Sequence, residues 1–338
     1  MTDRPLLSVR DLRVTLPVHR GAALHVVRGL SFDVRPGEAL ALIGESGAGK
    51  SMVARAVLGT APYGATVTGS VRLGERELVG ARTRELRAVR GRRVALIPQD
   101  ALSVLSPMHT VGGQLVRALR SNQRLSRARA HELAVAALDR VGIPDAARRA
   151  RAYPHEFSGG MRQRAVIAMA MVNEPEVVFA DEPTTALDPR NARLVLDLLA
   201  DLRRDTGAAL VLITHDLAVV RGHADRIVVA YAGRHVESGP AGRVLAEPRA
   251  PYTAGLVAAV PPEEAPDRRL PAIGGSPPSP SDLPEGCAFA PRCPLADAHC
   301  RVAAPDPVAT GAFGHLVSCH RWQDVPVPAH TLFSRVAT

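Results

Sequence analysis

An α/β domain with a mostly parallel sheet is predicted for this 338-residue chain, and three observations predict it. The apolar runs ALALIG (39–44), VVFAD (177–181) and ALVLIT (209–214) read as buried strands, and helical segments alternate with them. The first of these strands runs into a glycine-rich loop, Gly44 to Ser51, that opens a helix. Between about residues 100 and 172 the pattern becomes wholly helical, which predicts a helical insertion within the sheet domain.

In chain order, LLSVRDLRVTL and LSFDV read as short strands and Arg35-Pro36-Gly37 as a turn. A helix is expected from Lys50 to Leu58, and VRL and VALIP are further strands. Ser126 can cap a helix whose apolar positions Leu133, Ala137, Leu138 and Val141 recur at helical spacing until Gly142 stops it. A second helix is expected from about Gly160 to Val172, ending before Asn173-Glu174-Pro175. Next come VVFAD, a helix through ARLVLDLLADLRR, ALVLIT and a hairpin in RIVVAYAGRHVES. Composition shifts near 250, and segment 261–286 holds eight prolines in 26 residues, so it reads as extended and irregular. A first domain over 1–250 and a C-terminal extension over 251–338 follow.

Hydrophobic residues make up 46 %, enough for a large core. No apolar run of about 18 residues appears, so no membrane span is expected, and the N-terminal segment lacks the pattern of a signal peptide. The net charge of +9 suits an anionic membrane surface, while 3 % aromatic residues are too few for a base-stacking platform, so no nucleic-acid partner is expected.

Gly44-Glu45-Ser46-Gly47-Ala48-Gly49-Lys50-Ser51 matches G-x-x-x-x-G-K-[ST] in strand–loop–helix context. Its glycines let backbone N–H groups wrap phosphates, Lys50 reaches the β- and γ-phosphates, and the Ser51 hydroxyl takes a place on Mg²⁺. An apolar strand ending in Asp181 presents a second carboxylate to Mg²⁺, and the adjacent Glu182 is placed to polarise an attacking water. The same Asp-Glu pair would also suit a plain helix start with Pro183 at its first position. His215 follows the strand ALVLIT, at the end where parallel sheets bind ligands, and can donate to a γ-phosphate.

The insertion carries Phe157-Ser158-Gly159-Gly160-Met161-Arg162-Gln163-Arg164, which resembles the signature of ABC-type ATPases. Gln99 stands at the family's Q-loop position, Thr185-Ala186-Leu187-Asp188 resembles the D-loop, and His215 is at the H-loop position. The order of these motifs across residues 44–215 is that of an ABC ATPase. IGESGAGKS, FSGGMRQRAVIAMA, Pro251-Tyr252-Thr253, Gly286-Cys287, Pro291-Arg292-Cys293 and Cys319-His320 narrow the resemblance to ATPases of dipeptide/oligopeptide and nickel importers. It implies a P-loop nucleotide-binding domain of parallel core sheet, antiparallel β-subdomain and helical subdomain, with ATP and Mg²⁺ bound. It also implies that Gln99 joins Ser51 and Asp181 at Mg²⁺, and that ATP lies between the phosphate loop of one subunit and Ser158, Gly159, Gly160 and Gln163 of a partner, with Asp188 contributing.

Its further implications are a second ATPase subunit (heterodimer), two membrane-spanning permeases and an extracytoplasmic peptide-binding protein, at the cytoplasmic face of the membrane. A nickel-chelate importer is the near alternative, and a ribosome- or DNA-acting ABC ATPase the distant one. Of the aromatic residue that stacks on adenine in the family there is no clear counterpart; His25 is the candidate, and Ala250 replaces a frequent histidine.

Cys287, Cys293, Cys300 and Cys319 are spaced x5, x6 and x18, without the C-x₂-C pairs common at zinc sites. Four thiols in a proline-rich segment suggest a ligand cluster. The resemblance implies a [4Fe–4S] cluster; zinc and free buried thiols stay open, and His315 and His320 could replace a thiolate.

Overall fold

The computed structural model describes residues 4–18, 23–100, 104–185, 187–260 and 271–333. Along the chain run β1 (Leu7–Leu16), β2 (Leu24–Val34), β3 (Ala39–Ile43), α1 (Lys50–Val57), β4 (Thr66–Leu73), β5 (Arg76–Glu77), α2 (Thr83–Val89) and β6 (Val94–Ile97). Helices α3 (Val111–Asn122), α4 (Arg127–Arg140), α5 (Ala146–Arg149) and α6 (Gly159–Met171) form the expected insertion, of which 101–103 lie outside the described residues. Then come β7 (Val177–Asp181), α7 (Pro189–Thr206), β8 (Ala209–Thr214), α8 (Leu217–Val220), β9 (Arg226–Tyr231), β10 (Arg234–Pro240), α9 (Ala241–Ala246) and α10 (Pro251–Ala258). The tail adds α11 (Ala298–Val302), β11 (Val308–Ala309) and β12 (Leu316–Val317).

The chain forms two compact units: Met1–Leu6, Val34–Glu38 and Ala81–Ile213 in one, Leu7–Asp33, Ala39–Gly80 and Thr214–Thr338 in the other. In the first, β6, β7 and β8 pair in parallel, with Val94 opposite Val177 and Val177 opposite Ala209. Every residue of β7 is buried, as expected for a parallel strand covered on both faces. Three of the four helices of the insertion, all but the single-turn α5, begin at a side chain that caps them. Thr110 accepts from Gly113 N at the head of α3, Ser126 from Arg129 N at α4, and Ser158 from Met161 N at α6. Gly142, at φ 71°, ends α4 as expected.

In the second unit, β2-β1-β4-β5 form a sheet in which β1, β4 and β5 pair antiparallel. Strand β3 pairs in parallel with β9, and β9, β10, β12 and β11 continue antiparallel. The tail therefore adds strands to a sheet. His315 seals that junction: 2 % exposed, it lies 2.7 Å from the Glu237 carboxylate, which also accepts from Arg249 N and Ala250 N. The core here gathers Ile43, Val229, Tyr231, Tyr252, Phe289 and Phe333, each large apolar side chain contributing about 1.5–3 kcal/mol by burial. The expected division at residue 250 runs within this unit, because α10 and the tail supply part of that core. Of the proline-rich segment, 261–270 lie outside the described residues, and 271–286 hold no regular element.

Candidate nucleotide site

The phosphate loop turns out of β3 into α1 on backbone geometry that glycine permits. Gly44 has φ 156° and Gly49 φ 87°. A Cβ would lie 2.2 Å from Ala230 O at Gly44 and 2.5 Å from Val26 O at Gly49, so neither position takes a larger residue. Ala48 N donates to Glu45 O at 3.1 Å, closing the loop, while Ser46 and Gly47 are exposed at its tip. Lys50 is 5 % exposed, and its ammonium donates to Gly44 O at 2.7 Å and Glu45 O at 3.0 Å. The cation lies across its own loop, and Ser51 follows in the first turn of α1.

Two partners of this loop had no signal as such in the sequence. Tyr252 Oη accepts from Glu45 N at 2.8 Å. Arg292 grips the Glu45 carboxylate with two bonds, NH1 to Oε2 at 2.7 Å and NH2 to Oε1 at 3.0 Å. Both residues stand inside motifs quoted for the resemblance, but their mates lie 207 and 247 positions away.

In the first unit, Asp181 ends β7 and is 8 % exposed. Glu182 follows at φ 46°, a left-handed conformation that a non-glycine residue adopts against a strain of order 1–3 kcal/mol. Its N–H donates to Ile213 O at 2.8 Å, and its carboxylate accepts from Thr185 Oγ at 2.9 Å and Gln99 Nε2 at 3.3 Å. Gln99 and Glu182 are thus brought together, 83 positions apart. His215 follows β8 and is exposed.

Ser158, Gly159 and Gly160 open α6 beside Asp188, which caps α7. They line one cavity of about 320 Å³ with Met161, Arg164 and Asn191. Asp188 accepts from Asn191 N at 3.1 Å, and the backbone and side-chain bonds from Asn191 hold its carboxyl below the ordinary range. Gln163, expected among the nucleotide contacts, turns inward: 5 % exposed, it donates to Pro183 O at 3.0 Å. Ala186 of the D-loop lies outside the described residues. His25 sits exposed on β2, 3.1 Å from Thr15 Oγ.

All four cysteines line a single cavity of about 50 Å³, with Phe289 and His320 among its walls. Cys287 N donates to Cys300 O at 2.8 Å, and a Cβ on Gly286 would meet Cys300 O at 2.5 Å, so the backbone there is tightly set. Burial pushes every thiol up, Cys293 to about 11 and Cys319 to about 12. Among the described residues no group of three or more His, Cys, Asp or Glu side chains is arranged to hold a metal ion. The donor chemistry suits a soft metal, but a preformed ligand set is not seen. His315 is engaged by Glu237, and His320 meets Ala303 O at 3.0 Å.

The family model described as "ABC transporter" matches residues 27–185, and that described as "Oligopeptide/dipeptide transporter, C-terminal region" matches 236–300. The oligopeptide transport ATP-binding protein OppD of Mycobacterium tuberculosis is 46 % identical over 94 % of this chain, and the chain spans 52 %, about half, of that relative. OppD of Escherichia coli is 43 % identical over 89 % of each chain. A dimeric post-hydrolysis structure of the ATP-binding cassette MJ0796, bound to ADP and Pi, superposes with TM-score 0.62 at 24 % identity, covering 70 % of this chain and 98 % of that one, and supports the fold. These names do not favour the nickel-chelate alternative. With such identity over most of the chain and both family models matched, the chain belongs to the oligopeptide/dipeptide ABC transporter family of ATP-binding proteins.

Proposed function

We propose that this chain hydrolyses ATP to power import of peptides through a membrane complex. The observation that carries this is the phosphate loop itself, held between β3 and α1 with Lys50 across it, in a chain 43 % identical to a protein named for oligopeptide transport. Lys50 would leave the carbonyls of Gly44 and Glu45 for the β- and γ-phosphates, while loop N–H groups and the N-terminus of α1 receive negative charge. Ser51 and Asp181 are hard oxygen donors, the kind Mg²⁺ takes in small number beside substrate phosphates and water. Gln99 is the further candidate there. Mg²⁺ would neutralise charge developing on the phosphates. Glu182 would accept the proton of the attacking water, held at its station by Gln99 and Thr185, and His215 would donate to the γ-phosphate.

The cavity of Ser158, Gly159, Gly160 and Asp188 would serve ATP bound to a partner subunit, since a helix N-terminus attracts anions. The remaining partners would be a second ATPase subunit, two permeases and, indirectly, an extracytoplasmic peptide-binding protein. Among the described residues no helix is long and apolar enough to cross a membrane, which suits a subunit docked at its cytoplasmic face. At the cysteines we propose a [4Fe–4S] cluster held by Cys287, Cys293, Cys300 and Cys319. Each thiolate would take its own iron, which asks for four sulfurs spread around a cavity rather than converging on one point.

The test is uptake of labelled oligopeptide by the reconstituted complex. Glu182→Gln should keep ATP binding and cut hydrolysis and uptake by about 10²-fold or more, as for loss of a general base. Transport of a labelled nickel chelate in place of peptide, or near-normal turnover with both ATPase subunits so mutated, would overturn the reading.

A further inference from the structure

Glu45 presents a carboxylate within a loop built for polyphosphate. Left unopposed, that charge would repel an incoming triphosphate. The tail supplies the opposition. Arg292, whose side chain is 7 % exposed, makes two parallel bonds to a Glu45 carboxylate that is 25 % exposed. Such bidentate geometry fixes orientation as well as charge. The guanidinium is itself positioned. Its Nε donates to Gly274 O at 2.9 Å and its NH1 to Tyr231 Oη at 3.0 Å, and it lies 5.8 Å from the ring centroids of both Tyr231 and Phe289. Tyr231, Tyr252 and Phe289 pack as a trio with centroids 4.6–5.4 Å apart, and Tyr252 receives the Glu45 N–H. Glu45 is therefore held by its carboxylate and by its backbone, in both cases by residues beyond 250.

We propose that Arg292 is a positioning residue for nucleotide binding: from the C-terminal extension it neutralises Glu45 and turns that carboxylate away from the path of the phosphates. The inference rests on the phosphate loop binding ATP. It adds that the loop is electrostatically complete only with the tail in place. Arg292 touches no reacting atom, so its loss should show in affinity rather than in the chemical step.

The experiment measures ATP binding to the full chain by fluorescence of a labelled ATP, together with kcat and KM of the assembled transporter. Arg292→Met keeps the apolar stem and removes the charge. It should weaken ATP binding about tenfold by exposing one uncompensated charge near the phosphates, and raise KM with kcat within about twofold. Adding Glu45→Gln to Arg292→Met should restore affinity to within about threefold of wild type, because the repelling charge has gone. A role in packing alone would leave the double variant as weak as the single one, and that result would overturn the proposal. So would an Arg292→Met chain that binds ATP like wild type. Should Arg292→Met fail to fold, Arg292→Lys, which keeps charge and loses the second bond, should weaken binding about threefold, with Glu45→Gln again restoring it. Lys50→Ala tests the underlying reading: wild-type chain that bound no ATP, or bound it as well after that change, would overturn both.

Discussion

His235 shows how a single side chain ties the tail to pH. It sits in β10 with one ring nitrogen 2.8 Å from Ser318 Oγ and the other 2.9 Å from Ser238 Oγ. These contacts suit a neutral imidazole, one nitrogen donating and the other accepting. Burial lowers its pKa to about 4. Above its unfolded value of about 6.5 both states are neutral and no penalty exists. Below it the unfolded chain takes a proton that the folded chain refuses, so stability falls as pH drops from about 6.5 towards 4, by on the order of 3 kcal/mol. Denaturant titrations at pH 7 and pH 4.5 should show wild type losing more stability between the two than His235→Gln does. Equal losses would mean that His235 accepts a proton in place. Glu182, by contrast, carries strain in its backbone at φ 46°, where the proposed chemistry needs a carboxylate fixed at a strand end. Nothing in the order Phe-Ala-Asp-Glu announces that conformation, although the role proposed for the residue was read from its neighbours.

At the scale of elements, legibility follows locality. The starts of α4 and α6 were readable because Ser126 and Ser158 cap them from adjacent positions, and α6 runs Gly159–Met171 against an expected Gly160–Val172. Strands β7 and β8 were readable as unbroken apolar runs. The pairing of β12 with β10 was not, since two residues show no period, and the pairing is set by Glu237 opposite Val317 and the buried His315–Glu237 contact. Gln163 was placed by motif at the nucleotide, whereas its helix face turns it towards Pro183. The N-terminus of α6 offers a test with opposed outcomes for folding and function. A Cβ on Gly159 meets nothing within 4 Å, so Gly159→Asp should fold, and its carboxylate should stabilise the helix start by about 0.3–1 kcal/mol. The same carboxylate would face the γ-phosphate of nucleotide held by the partner. Thermal melting should therefore be unchanged or slightly raised while ATP-driven pairing of subunits, followed by size-exclusion chromatography, is lost. Normal pairing in that variant would remove α6 from the shared site.

For the whole molecule, the question is whether the tail is an accessory or a part of the ATPase. Its strands extend the sheet that contains β3, its aromatic residues complete a core, and Arg292 reaches the phosphate loop from the position before Cys293. Order at the cysteines therefore bears on order at Glu45. Cys287 and Cys293 already pack against the core and the Cys287–Cys300 backbone bond is in place, so a metal group would add to what fixes them, beyond the proline-rich approach that offers little apolar burial of its own. The thiols, pushed up by burial to about 11 at Cys293 and about 12 at Cys319, hold their protons at neutral pH until a metal displaces them, so loading releases protons and weakens as pH falls. Chain purified anaerobically should then be brown and carry about four irons. Cys293→Ser should lose the colour, become sensitive to protease between residues 271 and 333, and bind ATP less tightly through release of Arg292. Stoichiometric zinc without iron would remove the cluster and leave the bracing role standing. Protein with no metal and a protease-resistant tail would show that packing alone orders the extension, and Cys293→Ser should then leave ATP affinity where it was.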